Sequence, residues 1–369
     1  MAVPRSIVLT GCGAALAVCL TTTSGAAGAS TASAPVVHAK ARAFDGRILF
    51  SDFKDGQIYT VNPDGTAPVQ VTHRRHGRYA DWGDWSPDSR RIVFDGDIAD
   101  GTTRIFMVRA DGSHLHQVGD DTAGVYQLTP RYTPDGGHIL FSRCLPDPPG
   151  GCAIYTMRAD GTGARPLTHY RTGVQQGVDI TPEPSPGGHR IAFTRFDSGG
   201  YLSRVVVMRS NGSHEHTILP ASLNAAFATW APHGDRVVFM DNISHLGSAL
   251  HLADSHGSHL RSLTRTQAPH NDGVPTFSPS GRSVAFRSDR GRAPLSGNQL
   301  RVIGADGRGD HLVRTGFHQI FFIDWGSAPL QTASPPSAPR AEQSLSPGHR
   351  RGLAGLPGGL VGEPGVFRR

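Results

Sequence analysis

The chain has 369 residues, a formal net charge of +6, four cysteines and 46 glycines. The charge sits at the ends: Arg5, Lys40 and Arg42 precede residue 44, and residues 328–369 carry five arginines against two glutamates. The middle therefore balances near zero and offers no basic face for nucleic acid.

In chain order, MAVPR is followed by SIVLTGCGAALAVCL, an apolar run ending in small residues. This predicts a secretory signal over residues 1–29, cut after Ala27-Gly28-Ala29, with residues 30–43 as a short linker. The run is too short to predict a transmembrane helix. The alternative is a lipoprotein, because Leu9-Thr10-Gly11-Cys12 matches a lipobox and Cys12 would then be acylated.

From residue 44 one pattern repeats. An aromatic or proline stands nine residues before a phenylalanine in five places: Trp85/Phe94, Tyr132/Phe141, Pro184/Phe193, Trp230/Phe239 and Phe277/Phe286. The text between them reads WSPDSRRIVF, YTPDGGHILF, PSPGGHRIAF, WAPHGDRVVF and FSPSGRSVAF. Six turn glycines (Gly65, Gly112, Gly161, Gly212, Gly257, Gly307) each follow an apolar residue by seven positions and precede another by six. Each copy predicts four short strands: one ending in the aromatic, an RIVF-type strand, an IYTM-type strand and a fourth ending in LT. Proline and glycine set the first turn, and the Asp-Gly or Asn-Gly pair sets the last.

A lone sheet of this size buries too little, so the copies must stack. The predicted fold class is all-β, a six-bladed β-propeller over residues 44–327. Phe50 has no aromatic strand before it and Trp325 has no RIVF strand after it. Residues near 319–325 are therefore expected to pair with residues near 47–72, closing the ring by joining its N- and C-terminal strands. The tail, residues 328–369, is rich in Pro, Gly, Ser and Arg and is predicted to be disordered.

The W-S-P-D-x-x-x-I-x-F strand pair, followed by I-Y-x-M-x-A-D-G and L-T, resembles the TolB-type propeller repeat. The resemblance covers about residues 44 to 327 and implies the fold more firmly than any activity. The smaller N-terminal domain of TolB itself is expected to have no counterpart in the short linker.

For chemistry, no G-x-S-x-G, H-E-x-x-H or Walker pattern occurs. The sequence points away from an enzyme without excluding one, and no cofactor is predicted. Cys144 and Cys152 flank LPDPPGG between two strands of one copy, which predicts a disulfide in an exported protein; free thiols or a metal half-site are the alternatives. His114/His116 and His214/His216 occupy equivalent outer-strand positions and read as solvated polar residues.

The loops entering each first strand should surround the channel mouth, and they carry polar side chains. The ligand-binding candidates there are His73, Arg75, His76, Arg78, His270, Asn271, Asp272 and His318. Neighbouring Arg74, Asp120, Asp121, His169, Tyr170, Arg171 and Arg314 share those loops. The expected function is a secreted or periplasmic, non-catalytic protein-interaction module of the envelope or exterior. It would act as a monomer on a protein or a polar, anionic ligand. The alternative is a propeller-type lyase or hydrolase of acidic polysaccharide, using a histidine-bound metal at the mouth.

Overall fold

The computed structural model describes residues 46–74, 79–146, 150–170, 177–197, 202–241, 247–265, 270–290 and 298–331. The signal, the linker and most of the tail lie outside them. The described residues are all-β apart from one 3-10 turn at Ala221–Leu223.

The first sheet runs in the order β24 (Ile320–Gly326), β1 (Arg47–Asp52), β2 (Gln57–Val61), β3 (Val69–Gln70). The second comprises β4 (Ala80–Trp85), β5 (Arg91–Asp97), β6 (Thr103–Arg109) and β7 (His116–Gln117). The third unit, β8 (Tyr126–Tyr132), β9 (His138–Cys144), β10 (Cys152–Arg158) and β11 (Arg165–Pro166), is bridged to the fourth. That fourth unit is β12 (Gly177–Pro184), β13 (Arg190–Asp197), β14 (Ser203–Arg209) and β15 (His216–Thr217), and the bridge is a parallel pairing of Cys152 with Val178. The fifth is β16 (Ala225–Trp230), β17 (Arg236–Asp241), β18 (Leu250–Asp254) and β19 (Arg261–Ser262). The sixth is β20 (Asp272–Phe277), β21 (Ser283–Ser288), β22 (Gln299–Gly304) and β23 (His311–Leu312). The first strands touch in succession, β4 to β8, β12, β16, β20 and β24, and β24 touches β4. β24 pairs antiparallel with β1, placing Trp325 opposite Ile48 and Ile323 opposite Phe50.

The repeated residues explain themselves once placed. The repeat phenylalanines Phe50, Phe94, Phe141, Phe193, Phe239 and Phe286 are all buried to 2% exposure or less. Apolar clusters span neighbouring units, as where Leu49, Ile58 and Val71 pack with Trp85, Ile92 and Phe94. The threonine of each LT caps the third strand: Thr72, Thr168 and Thr264 accept the backbone N–H of Ile58, Ile154 and Leu250 at 2.9, 2.9 and 3.0 Å. The turn glycines do more than supply positive φ. A Cβ on Gly161 would lie 2.0 Å from the Val118 carbonyl oxygen of the preceding unit, and one on Gly257 would lie 1.6 Å from that of Ile218. Glycine here lets one unit's last turn sit against its neighbour.

The cysteines form a disulfide, and they are direct cross-strand partners on β9 and β10 with Cα atoms 4.0 Å apart.

A further repeated feature has no signature in the sequence pattern. Five of the first strands carry a bulge whose residue has positive φ although it is not glycine: Trp82 (44°), Thr129 (54°), Thr181 (53°), Phe227 (54°) and Val274 (49°). Bulky and β-branched residues rarely adopt this conformation, so the surroundings must hold it. At three of the bulges a side chain of the preceding unit does so by accepting the N–H. Thr129 N donates to Asp95 Oδ2 at 2.7 Å, Thr181 N to Thr129 Oγ1 at 3.3 Å, and Phe227 N to Thr194 Oγ1 at 2.9 Å.

Candidate functional site at the central channel

The bulges aim large side chains into the space between the first strands. Trp82, from the second unit, stacks on Phe227, from the fifth, with ring centroids 5.7 Å apart and planes at 15°. Phe322 and Phe321 of β24 close on the same indole at 5.0 and 5.9 Å. This aromatic plug separates two polar regions.

On the side of the x-Pro-x-Gly turns, the residue preceding each aromatic or proline lines the axis: Asp84, Arg131, Glu183, Thr229, Thr276 and Asp324. Arg131 is the hub. Its Nε lies 2.9 Å from Glu183 Oε2, its Nη1 lies 3.4 Å from Asp84 Oδ1, and its guanidinium covers the Phe322 ring at 4.9 Å. Asp84 Oδ2 also accepts the Tyr132 N–H at 2.7 Å. Burial, reinforced by Asp324, holds the Asp84 carboxyl well above the usual range, and burial pushes Glu183 up to about 7. Burial works against the Arg131 charge, but Glu183 and Asp84 outweigh it and raise the pKa. Arg131, Asp84 and Glu183 thus partner one another within the fold.

On the mouth side, the position after each repeat phenylalanine holds Ser51, Asp95, Ser142, Thr194, Met240 and Arg287. Asp81 accepts hydrogen bonds from Ser51 Oγ and, at 2.9 Å, from Trp82 N, and burial pushes it up to about 6. Arg287 lies over the Phe321 ring at 5.0 Å, and burial lowers its pKa to about 10.

The sequence-predicted candidates divide. His73 and His318 are exposed on this end. Arg75, His76 and Arg78 lie outside the described residues. His270 is half-buried, with Nδ1 3.4 Å from Asp289 Oδ1. Asn271 donates to Asp289 through its backbone and side chain at 2.7 and 3.0 Å. Asp272 is fully buried and takes Arg290 Nε at 2.9 Å; Arg290 continues to Asp310 and thence to Arg301. Asn271 and Asp272 are thus engaged in bracing β20 against β21 and β22. Among the described residues, no three of His, Cys, Asp and Glu converge as metal ligands.

Two other arrangements prove structural. His114 and His214 have φ of 59° and 61°, and their Nδ1 atoms contact Ser113 and Ser213 Oγ at 3.0 Å; His116 and His216 turn Nδ1 onto the backbone oxygens of His114 and His214. The other arrangement has the outline of a hydrolytic triad: His251 Nε2 lies 2.8 Å from Asp241 Oδ2, and Nδ1 lies 3.4 Å from Ser262 Oγ. However, His251 occupies the position where Tyr59, Phe106 and Tyr155 also pack on the repeat phenylalanine, and it stacks on Phe239 at 5.6 Å.

Sequence reasoning missed Arg131, Glu183, Asp324, Asp81, Trp82, Arg287 and Phe321. A signal existed: these residues stand at fixed repeat registers whose chemistry changes from copy to copy while their neighbours stay constant.

A succession of four-stranded units around an axis, each packed on the next through its repeat aromatics, defines the β-propeller class. The TolB beta propeller domain model (PD40) matches residues 78–267, just over half of the chain, and the chain belongs to that family. Among curated proteins it is similar to an uncharacterized protein of Agrobacterium fabrum, 24% identical over 204 residues (51% of this chain, 63% of the relative). It is also similar to a TolB homolog of Chlorobium chlorochromatii, 28% identical over 214 residues (56% of this chain, 45% of the relative). The matches thus span less than two-thirds of either relative. Among solved structures, TolB from Acinetobacter baumannii aligns with a TM-score of 0.60 at 18% identity, covering 77% of this chain and 67% of that one.

Proposed function

We propose that the protein is an exported, non-catalytic binding module: six blades closed into a ring by β24 and β1, with the channel mouth as its working surface. The observation that carries this reading is the mouth-side chamber itself. It presents Phe53 and Arg287 beside the Phe321 edge of the aromatic plug, whereas the charged groups on the turn side are spent on one another. Rigid walls with exposed, irregular loops suit recognition of a partner. Export is supported by the Cys144–Cys152 disulfide and the apolar N-terminal run. Among the described residues, no helix is long and apolar enough to cross a membrane. An envelope or extracellular protein is the proposed partner class.

The test compares two variants in capture from envelope and culture-supernatant fractions. Replacing His73, His76 and His270 by alanine should weaken capture with little change in thermal stability. Replacing His114, His116, His214 and His216 should leave capture intact. The reverse outcome would move the working surface to the outer strands and reject the proposal.

A further inference from the structure

Arg287 stands apart from the other channel charges. Among the described residues its guanidinium donates no hydrogen bond and forms no ion pair; it rests instead on the face of Phe321, at 5.0 Å. With its N–H groups unbonded among the described residues, the guanidinium keeps available the fork that takes a carboxylate through two parallel bonds. An arginine partly withdrawn from water without an anionic partner costs free energy that an incoming carboxylate would offset. Scaffold needs do not explain it, since the same register holds Met240 in the fifth unit and Ser, Asp or Thr in the others.

The surface beside it is aromatic and continuous from solvent to channel floor. Phe53 is 56% exposed and lies 6.2 Å from Phe321 and 6.0 Å from Tyr79, centroid to centroid. Phe321 meets Trp82 edge to face at 5.9 Å. The Phe53 backbone is anchored by a 2.9 Å hydrogen bond from its N–H to the Gln319 oxygen. An exposed large aromatic joined to a channel wall marks a contact surface.

The charge around the fork limits the occupant. Asp81 and Asp289 lie close enough to Arg287 to act on it electrostatically without contact, and Asp95 and Asp97 stand near Asp81 in turn. A polyanion laid across this mouth would face those carboxylates with every one of its charges, whereas one isolated carboxylate on the fork would meet only Asp81 and Asp289, with the Arg287 charge between.

We propose that the mouth between the first, second and sixth blades captures the free C-terminal carboxylate of a partner peptide, with the carboxylate on Arg287 and an aromatic or large aliphatic last side chain on Phe321 and Phe53. Capture of a chain terminus by a fixed donor beside an apolar shelf is a recurrent recognition mode. This inference rests on the mouth being the working surface.

The probe is a short acetylated Gly-Ser peptide ending in phenylalanine, titrated calorimetrically into the disulfide-intact protein as the free acid and as the C-terminal amide. The acid should bind at least about tenfold more tightly than the amide, because a charge-assisted pair is lost on amidation. Arg287→Met copies the fifth blade's residue, so folding should survive; it should remove the discrimination between acid and amide. Phe53→Ala should weaken both peptides. Equal binding of acid and amide, unchanged discrimination in Arg287→Met, or no binding of either peptide at millimolar concentration would overturn the inference. Arg287-dependent binding of a uronate oligomer with the peptides silent would also overturn it, in favour of an acidic glycan. The broader reading fails separately: if the loop-histidine variant captures the natural partner as well as wild type does, the mouth is not the working surface.

Discussion

The proposed ring closure through β24 can be tested by truncation. β24 contributes Ile320, Phe322, Ile323 and Trp325, each 5% exposed or less. At roughly 1.5–3 kcal/mol per buried side chain, these four stabilise by about 6–12 kcal/mol. That is comparable with the whole net stability of a domain, about 5–15 kcal/mol. Removal would also bare the edge of β1, uncover Ile48 and Phe50, and take away Gly326, which packs directly under the Trp85 ring. A chain ending at Gly316 should therefore show no cooperative melting transition and should bind a hydrophobic dye. A chain ending at Gln331 should melt like the full protein, because it keeps β24 and the Asn62 Nδ2 to Gln331 oxygen hydrogen bond at 2.8 Å. Calorimetry and near-ultraviolet circular dichroism on the two chains decide the matter. If the chain ending at Gly316 melts in one sharp transition within a few degrees of the full protein, β24 does not complete the first blade.

Further outcomes can be measured on the same material. Replacing Cys144 and Cys152 together by alanine should cost about 2–3 kcal/mol, the chain-entropy value for so short a loop; intact mass after alkylation should show no free thiol in exported protein, and should show a start at Ser30 rather than acylation at Cys12. Thr194→Val keeps the shape but removes the acceptor of the buried Phe227 N–H, and should cost about 1–3 kcal/mol in urea unfolding; a loss below about 0.5 kcal/mol would show that the bulge needs no such support. For pH, the Glu183 carboxyl rises from an ordinary 4.5 to about 7 on folding. Its stabilising contribution is present below pH 4.5 and is lost as pH rises through 7, so Glu183→Gln should flatten the decline in melting temperature between those values; an unchanged pH profile would refute the assignment.

Much of the fold was legible because its determinants recur. Phe94 and its five equivalents and the turn glycines do one job in every copy, and Thr72, Thr168 and Thr264 share another in three, so the period stood out from any single position. The disulfide was legible too, since Cys144 and Cys152 flank one hairpin. The bulges were not. Trp82, Thr129, Thr181, Phe227 and Val274 share a backbone conformation but no side-chain type. For Phe227 and Thr129 the support is an acceptor from the neighbouring unit, 33 and 34 residues earlier. No local pattern encodes such a contact.

The same physics explains why the candidate site was only partly legible. Loop residues such as Asn271 and Asp272 looked available because they are polar and stand between strands, yet Asp289 and Arg290 claim them. The group proposed to meet a ligand, Arg287, lies on a strand, at the position after the repeat phenylalanine. At two of the bulges this register supplies the acceptor of the N–H, through Asp95 and Thr194; elsewhere its residue varies. Arg287 is such a variation. Unlike Met240, the other copy that supplies no acceptor, it brings a charge, and for that reason it is the residue on which a function at the channel mouth should be tested first.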